Sequence, residues 1–277
     1  MSAVLDRKLD VLRAILTEVG SAVVAYSGGA DSALVLSVAH EVLGARCVAL
    51  TGDSASLDPD ERDAARRTAA EIGARHVLVA TGETSDPRYV ANAPDRCYWC
   101  KTELHEHTTA FARDHGFAAV VDGLNADDDP RDRPGVRAGH EHGVRSPLRE
   151  AGITKADVRE LSRRRGLRTW DKPAAPCLSS RIPHGTPVTV ERLREVGDAE
   201  RALRALGFRD LRVRHHGDLA RIEVPADDVS RVAELRDAVV RSVRAAGFRF
   251  VTVDLAGLRT GGADRAAEAV AAGETTT

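Results

Sequence analysis

Residues 21–32 read SAVVAYSGGADS, a run of small and β-branched residues that ends in two glycines and an acid. SAVVAY lacks polar alternation, which marks a strand buried on both faces. The residues that follow, about 32–43, read as a helix. A strand that passes through a Gly-Gly turn into a helix suits an anionic ligand. The glycines let the backbone turn tightly and approach it, and the N–H groups at a helix start attract negative charge. Either the turn is only a loop, or Ser27, Gly28, Gly29, Asp31 and Ser32 surround an anion, with Asp31 placed to hold magnesium against phosphates. The string fits neither GxxxxGK[ST] nor GxGxxG, so the Walker and dinucleotide readings do not apply.

The same pattern repeats outward from this loop. ARCVALT (45–51), RHVLVAT (75–81) and AAVVDG (118–123) are further Val/Ala-rich runs, and helix-like stretches lie near 32–43, 59–73 and 99–115. A βαβ series of this kind predicts an α/β domain with a doubly wound parallel sheet over residues 1–175. Beyond the proline-containing stretch 171–187 the order changes to helix (189–208), strands LRVRHH and LARIEV joined through Gly217 and Asp218, helix (226–246) and strand RFVTVDL. That order predicts a smaller C-terminal α+β domain, 176–277, for substrate binding or assembly.

Composition sets the class. The chain has 277 residues, 43% hydrophobic and 30% charged, as in an ordinary globular protein. A formal net charge of −2 argues against a general nucleic-acid surface. Only four of the 40 basic residues are lysines, so a lone surface arginine carries little weight. The N-terminal segment is an amphipathic helix pattern that carries acids, unlike a signal peptide. No apolar run approaches the roughly 18 residues of a membrane span, so a cytoplasmic protein is expected. Four cysteines in such a chain suggest metal or reactive-thiol roles over a disulfide framework. Cys47, inside a predicted buried strand, reads as packing.

Three segments stand out as site candidates. DGLNADDDPRDRPGVRA, 122–138, follows the fourth strand at the sheet edge where open α/β folds bind ligands. There Asp127, Asp128 and Asp129 are a solvated turn, or the segment is functional: Gly123 lets a nucleotide approach, Asp127 helps bind it, and Arg133 or Arg137 pairs with phosphate. RCYWCK gives a C-x-x-C of Cys97 and Cys100 at a helix start, a signal shared by redox, zinc and iron–sulfur sites. PAAPCLSSRIPHG, 173–185, sets Cys177 in a loop without periodicity at the expected domain junction, where Arg181 and His184 would make the thiol more reactive. Zinc on the three cysteines with His184 is one arrangement open to these residues.

SGGADS resembles the pyrophosphate-binding loop of the PP-loop ATP pyrophosphatases. DGLNADD, RPGVRA, the long block VRSPLREAGITKADVRELSRRRGLRTWDKPAAPCLSSRIPHG, LRVRHHGDLARIEV and DLAGLRTGG together resemble the LarE family, from about residue 20 to 262. The resemblance implies an ATP- and magnesium-dependent sulfur transferase of nickel-pincer nucleotide biosynthesis. Such an enzyme adenylates a carboxylate of pyridinium-3,5-biscarboxylic acid mononucleotide and turns it into a thiocarboxylate. It implies Cys177 as the sulfur-handling residue and Arg212 and Arg214 as partners of the substrate phosphate. It also implies a homo-oligomer and, because the C-x-x-C pair is present, a [4Fe-4S] cluster on Cys97, Cys100 and Cys177 rather than sacrifice of the Cys177 sulfur. Competing readings are a tRNA-thiolating enzyme, an amide-forming ligase and a nucleotide-sensing module. The first lacks a basic track, the second an ammonia source, and the third leaves the cysteines unexplained.

Overall fold

A computed structural model describes residues 2–128, 134–173 and 175–258. The chain divides into two compact units, one of Met1–Tyr89 with Asp95–Ala175, the other of Val90–Pro94 with Pro176–Thr277.

The first unit is an α/β layer structure. Its sheet holds β1 (Ala22–Ala25), β2 (Cys47–Asp53), β3 (Arg75–Ala80) and β4 (Ala119–Val121) in the order β3-β2-β1-β4. All three pairings are parallel, with Val23 beside Val48 and Val120. Alternate residues of the short strands serve opposite layers. Ala22 and Val24 pack with Leu34, Leu12, Leu161 and Ala65, side chains of the helices Ala30–Leu43, Ser2–Val19, Lys155–Arg164 and Pro59–Ile72. Val23, Val48 and Leu50 pack on the other face with Ala112, Leu104 and Phe111 of the helix Arg96–Asp114. Apolar side chains on both faces explain why the strands read as unbroken Val/Ala runs. Cys47 belongs to the first layer, and burial pushes its thiol up to about 12. From β1 the chain winds outward through β2 and β3, then returns to place β4 on β1's other side. The carboxyl ends of β1 and β4 therefore form the switch point where such sheets bind ligands.

Among the described residues the second unit has three strands, β5 (Arg212–His216), β6 (Leu219–Glu223) and β7 (Phe250–Val253). β5 and β6 form an antiparallel hairpin through the left-handed Gly217, and β7 lies parallel to β6. The helix Val190–Ala205 is capped by Thr189, whose hydroxyl accepts from Arg192 N. The helix expected over 226–246 is in fact two, Val229–Glu234 and Arg236–Ala245, interrupted at Leu235. Among the described residues no helix is long and apolar enough to cross a membrane.

Candidate functional site

β1 ends at Ala25, and the loop Ser27–Gly29 leads straight into the helix Ala30–Leu43. Gly28 is left-handed (φ 72°), and a Cβ on it would stand 2.7 Å from the Ala65 Cβ, so only glycine fits. Ser27 and Ser32 brace the turn: their hydroxyls are 3.1 Å apart, and the Ser32 Oγ accepts from Ser27 N at 3.3 Å. The helix N-cap is Gly29, which has no side chain to close the helix start. The first-turn N–H groups are thus left to a ligand, as an anion requires.

These residues line a cleft of about 390 Å³ that also includes Glu61, Asn125, Asp127, Asp128, Lys155 and Lys172. Two of the chain's four lysines therefore stand at the loop, a placement that sequence reading missed. The scarcity of lysine against 36 arginines was the available signal. Lys155 is the first residue of its helix, set there by a capping box in which Thr154 and Asp157 satisfy each other's N–H groups. Its backbone N–H donates to Asp127 at 2.8 Å, and its ammonium pairs with Asp31. Asp31 also accepts from the Asn125 amide at 3.1 Å. Lys172 donates to the Gly28 carbonyl at 3.1 Å and pairs with Glu61 at 2.6 Å. An ammonium is a compact charge with three donors, suited to hold a loop carbonyl and a phosphate at once.

In the segment after β4, Gly123 and Arg137 each meet other parts of the chain. A Cβ on Gly123 would meet Ser32 N at 2.8 Å, Ser32 Cα at 3.1 Å and the Asp31 carbonyl carbon at 3.2 Å. Its missing side chain thus makes room for the helix start that carries the loop. Arg137, in the helix Pro134–Glu141, stacks its guanidinium 4.2 Å over the Tyr98 ring and pairs with Glu141; it is not among the residues that line the cleft. Asp127 and Asp128 do line it. Asp129 and Arg133 lie outside the described residues, as do the last four residues, RTGG, of DLAGLRTGG.

Cys97 and Cys100 occupy the first turn of the helix Arg96–Asp114, Cys97 exposed and Cys100 partly so; neither is in a disulfide. Gly135 lets the helix Pro134–Glu141 approach this turn, since a Cβ there would stand 3.4 Å from Cys97 O. Arg88 stacks 3.9 Å over Trp99 beside it. Among the described residues no group of three or more His, Cys, Asp or Glu is arranged to hold a metal ion.

In the second unit Cys177 is exposed and precedes the short turn Leu178–Arg181. Arg181, expected beside the thiol, is buried and spends its guanidinium elsewhere. Nε and Nη2 reach Glu200 at 2.8 and 3.1 Å, and Nη1 donates to the carbonyls of Pro176 and Cys177 and to the Ser180 hydroxyl. Its observed work is on the loop's backbone. Arg214 is likewise buried, bonded to Glu223 and to Ser180 O. Arg212 is only half-buried and makes no ion pair among the described residues. Burial, reinforced by the like charges of Arg214 and Arg181, holds its guanidinium below the ordinary arginine value. A cation in that position favours an incoming anion.

No protein-family model matches the chain. An uncharacterised protein of Synechocystis sp. is 46% identical over 263 residues, 94% of this chain and 98% of its own. The pyridinium-3,5-bisthiocarboxylic acid mononucleotide synthase of Lactiplantibacillus plantarum, a LarE protein, is 40% identical over 260 residues, 94% of either chain. This chain belongs to the LarE family. A further uncharacterised protein, from Methanocaldococcus jannaschii, is 28% identical over 84% of the chain.

For magnesium, the carboxylates of Asp31, Asp127 and Asp128 with the Asn125 amide give the cleft the hard oxygen donors that this ion takes. For an iron–sulfur cluster the donor chemistry fits too. Three thiols, none in a disulfide and none buried, match the thiolate ligation of such clusters.

Proposed function

We propose that this protein is an ATP-dependent sulfur transferase. It adenylates a carboxylate of pyridinium-3,5-biscarboxylic acid mononucleotide and converts it to a thiocarboxylate for nickel-pincer nucleotide synthesis. The observation that carries the reading is the 40% identity, over 94% of either chain, to a synthase of the bisthiocarboxylic acid mononucleotide. Replacing a carboxylate oxygen by sulfur needs activation, because oxide is a very poor leaving group. A carboxylate oxygen attacks the α-phosphorus of ATP, the bond to pyrophosphate breaks, and a sulfur nucleophile then attacks the acyl carbon and expels AMP. The phosphate loop supports the first half: Ala30–Ser32 N–H groups, Lys155 and Lys172 bind and orient the departing pyrophosphate. Magnesium held by Asp31, Asp127 and Asp128 would neutralise phosphate charge there. The second unit serves as the substrate and assembly domain of a homo-oligomer, with Arg212 paired to the mononucleotide phosphate. Cys177 handles the sulfur, and its loop is shaped by Arg181. A [4Fe-4S] cluster on Cys97, Cys100 and Cys177 would have one iron without a protein ligand, able to supply a transferable sulfide.

The test is turnover by anaerobically purified protein with ATP, magnesium and the pyridinium dicarboxylate, reading pyrophosphate and thiocarboxylate separately. Cys177→Ala should keep pyrophosphate release and make no thiocarboxylate. Iron and sulfide in about equal amounts, lost on replacing any one of the three cysteines, support the cluster. Metal-free protein that becomes lighter by one hydrogen sulfide at Cys177 on turnover refutes it and leaves sacrifice of the cysteine as the route. Absence of ATP-dependent pyrophosphate release refutes the whole reading.

A further inference from the structure

The five residues Val90–Pro94 have no hydrophobic periodicity, yet they are built into the second unit, between two stretches of the first. Asn92 is their centre. It is fully buried and has a left-handed backbone (φ 54°), unlike every other non-glycine residue described. Its Nδ2 donates to the carbonyls of Ile182, Pro183 and Thr186 at 3.3, 2.8 and 2.8 Å. Three acceptors around one nitrogen fix the orientation of the amide, since only its NH₂ end can donate. The Asn92 carbonyl accepts from Gly185 N at 3.1 Å and faces His184 Nδ1 at 3.2 Å, and Val90 O accepts from Val188 N at 2.9 Å. Asparagine meets both demands of this position, a left-handed backbone and a buried donor. Aspartate lacks the donor and glycine lacks the side chain.

What Asn92 grips matters more than how. Ile182 lies five residues after Cys177, and Pro94 lies three before Cys97. The interval between Cys177 and Ile182 is the turn Leu178–Arg181, whose backbone is itself held by Arg181 and Arg214. Cys177 is exposed and outside any regular helix or strand, so its position depends on these holds.

We propose that Asn92 is a positioning residue of the sulfur site: it pins the turn that follows Cys177. The proposal rests on the three-cysteine reading above. It explains why a strap from the first half of the chain is built into the second unit.

Two variants test it in the full chain. Asn92→Gly keeps the left-handed backbone and removes the donor; Asn92→Asp keeps the shape and removes the donor. In either, pyrophosphate release with the pyridinium dicarboxylate should stay within twofold of wild type, because the phosphate-loop residues are untouched. Iron retained after anaerobic reconstitution and thiocarboxylate yield should each fall at least fivefold. The rate of Cys177 alkylation by iodoacetamide, followed by peptide mass spectrometry, should change at least fivefold. A merely structural role would lower the melting temperature without separating the two half-reactions. Wild-type iron, alkylation rate and thiocarboxylate yield in a folded variant would overturn the proposal, and so would pyrophosphate release that falls in step with sulfur transfer. Failure of both variants to fold at 25 °C would also overturn it, by making Asn92 a residue of the fold alone. If wild-type protein binds no iron, the cluster reading fails by itself, and Asn92 is judged on Cys177 alkylation and thiocarboxylate yield.

Discussion

Gly123→Ala should damage nucleotide activation from a position that need not touch the nucleotide. Gly123 does not have a left-handed backbone, so alanine adopts its conformation without strain and the perturbation is steric. The new Cβ would lie 2.8 Å from Ser32 N, where ordinary contact begins near 3.4 Å, so about 0.6 Å must be found. The obstructing atoms are backbone atoms of Asp31 and Ser32, which cannot swing aside as a side chain can. The cost is either about 1–3 kcal/mol of overpacking or a shift of the helix start by several tenths of an ångström. Because a 1 Å misplacement of aligned groups costs on the order of a hundredfold, this shift predicts roughly a tenfold fall in ATP–pyrophosphate exchange. Urea unfolding and the exchange assay on the same sample separate the two effects. Gly20→Ala is the control: Gly20 is left-handed but has nothing within 4 Å, so it should lose stability and keep exchange. Full exchange activity in folded Gly123→Ala would show that the contact with Ser32 does not set the loop.

Lys172→Met should raise the KM for ATP about tenfold, since it removes the ammonium that holds Gly28 O and pairs with Glu61; Lys172→Arg should not restore it, because a planar fork cannot replace a compact charge. Exchange kinetics within twofold of wild type would contradict this role. His105 predicts a pH effect on stability. Burial pushes its imidazole down to about 3, helped by Lys101 and His142, whereas the unfolded chain binds that proton near 6.5. The contribution is therefore intact above pH 6.5 and lost as pH falls toward 3, by about 1.4 kcal/mol per unit, or about 2 kcal/mol at pH 5. Between pH 7.5 and 5, wild type should lose about 2 kcal/mol more than His105→Leu in denaturant titrations; equal losses would refute the buried neutral histidine.

The sheet was legible because doubly buried strands leave unbroken apolar runs, and the tight turn into the first unit's second helix because two glycines follow the first strand. Long-range partners were not legible. Arg181 and Arg214 look in the sequence like any anion-binding arginine, and only the fold shows that Glu200 and Glu223 already engage them. Arg212, two residues from Arg214, is the one left without an ion pair. Gly123 was recognised as a close-approach glycine, but what approaches it is set by the tertiary fold. Lys155 and Lys172 lie 17 residues apart on different elements, so no local motif joins them. The break at Leu235 follows no proline or glycine, the residues that would announce it. The strap around Asn92 has neither periodicity nor composition to mark it, since its contribution lies in hydrogen bonds to residues about 90 positions away.

That separation has a consequence for synthesis. At roughly 5–20 residues per second, the ribosome makes Asn92 about 5–20 s before the carbonyls that its amide will meet. The last strand of the first unit's sheet, β4, ends at Val121, before any of those acceptors has been made. The second unit then closes on a strap made long before the rest of it. A C-terminal fragment starting at residue 176 would lack that strap, and the natural cut between the two units does not exist as a single point in the chain.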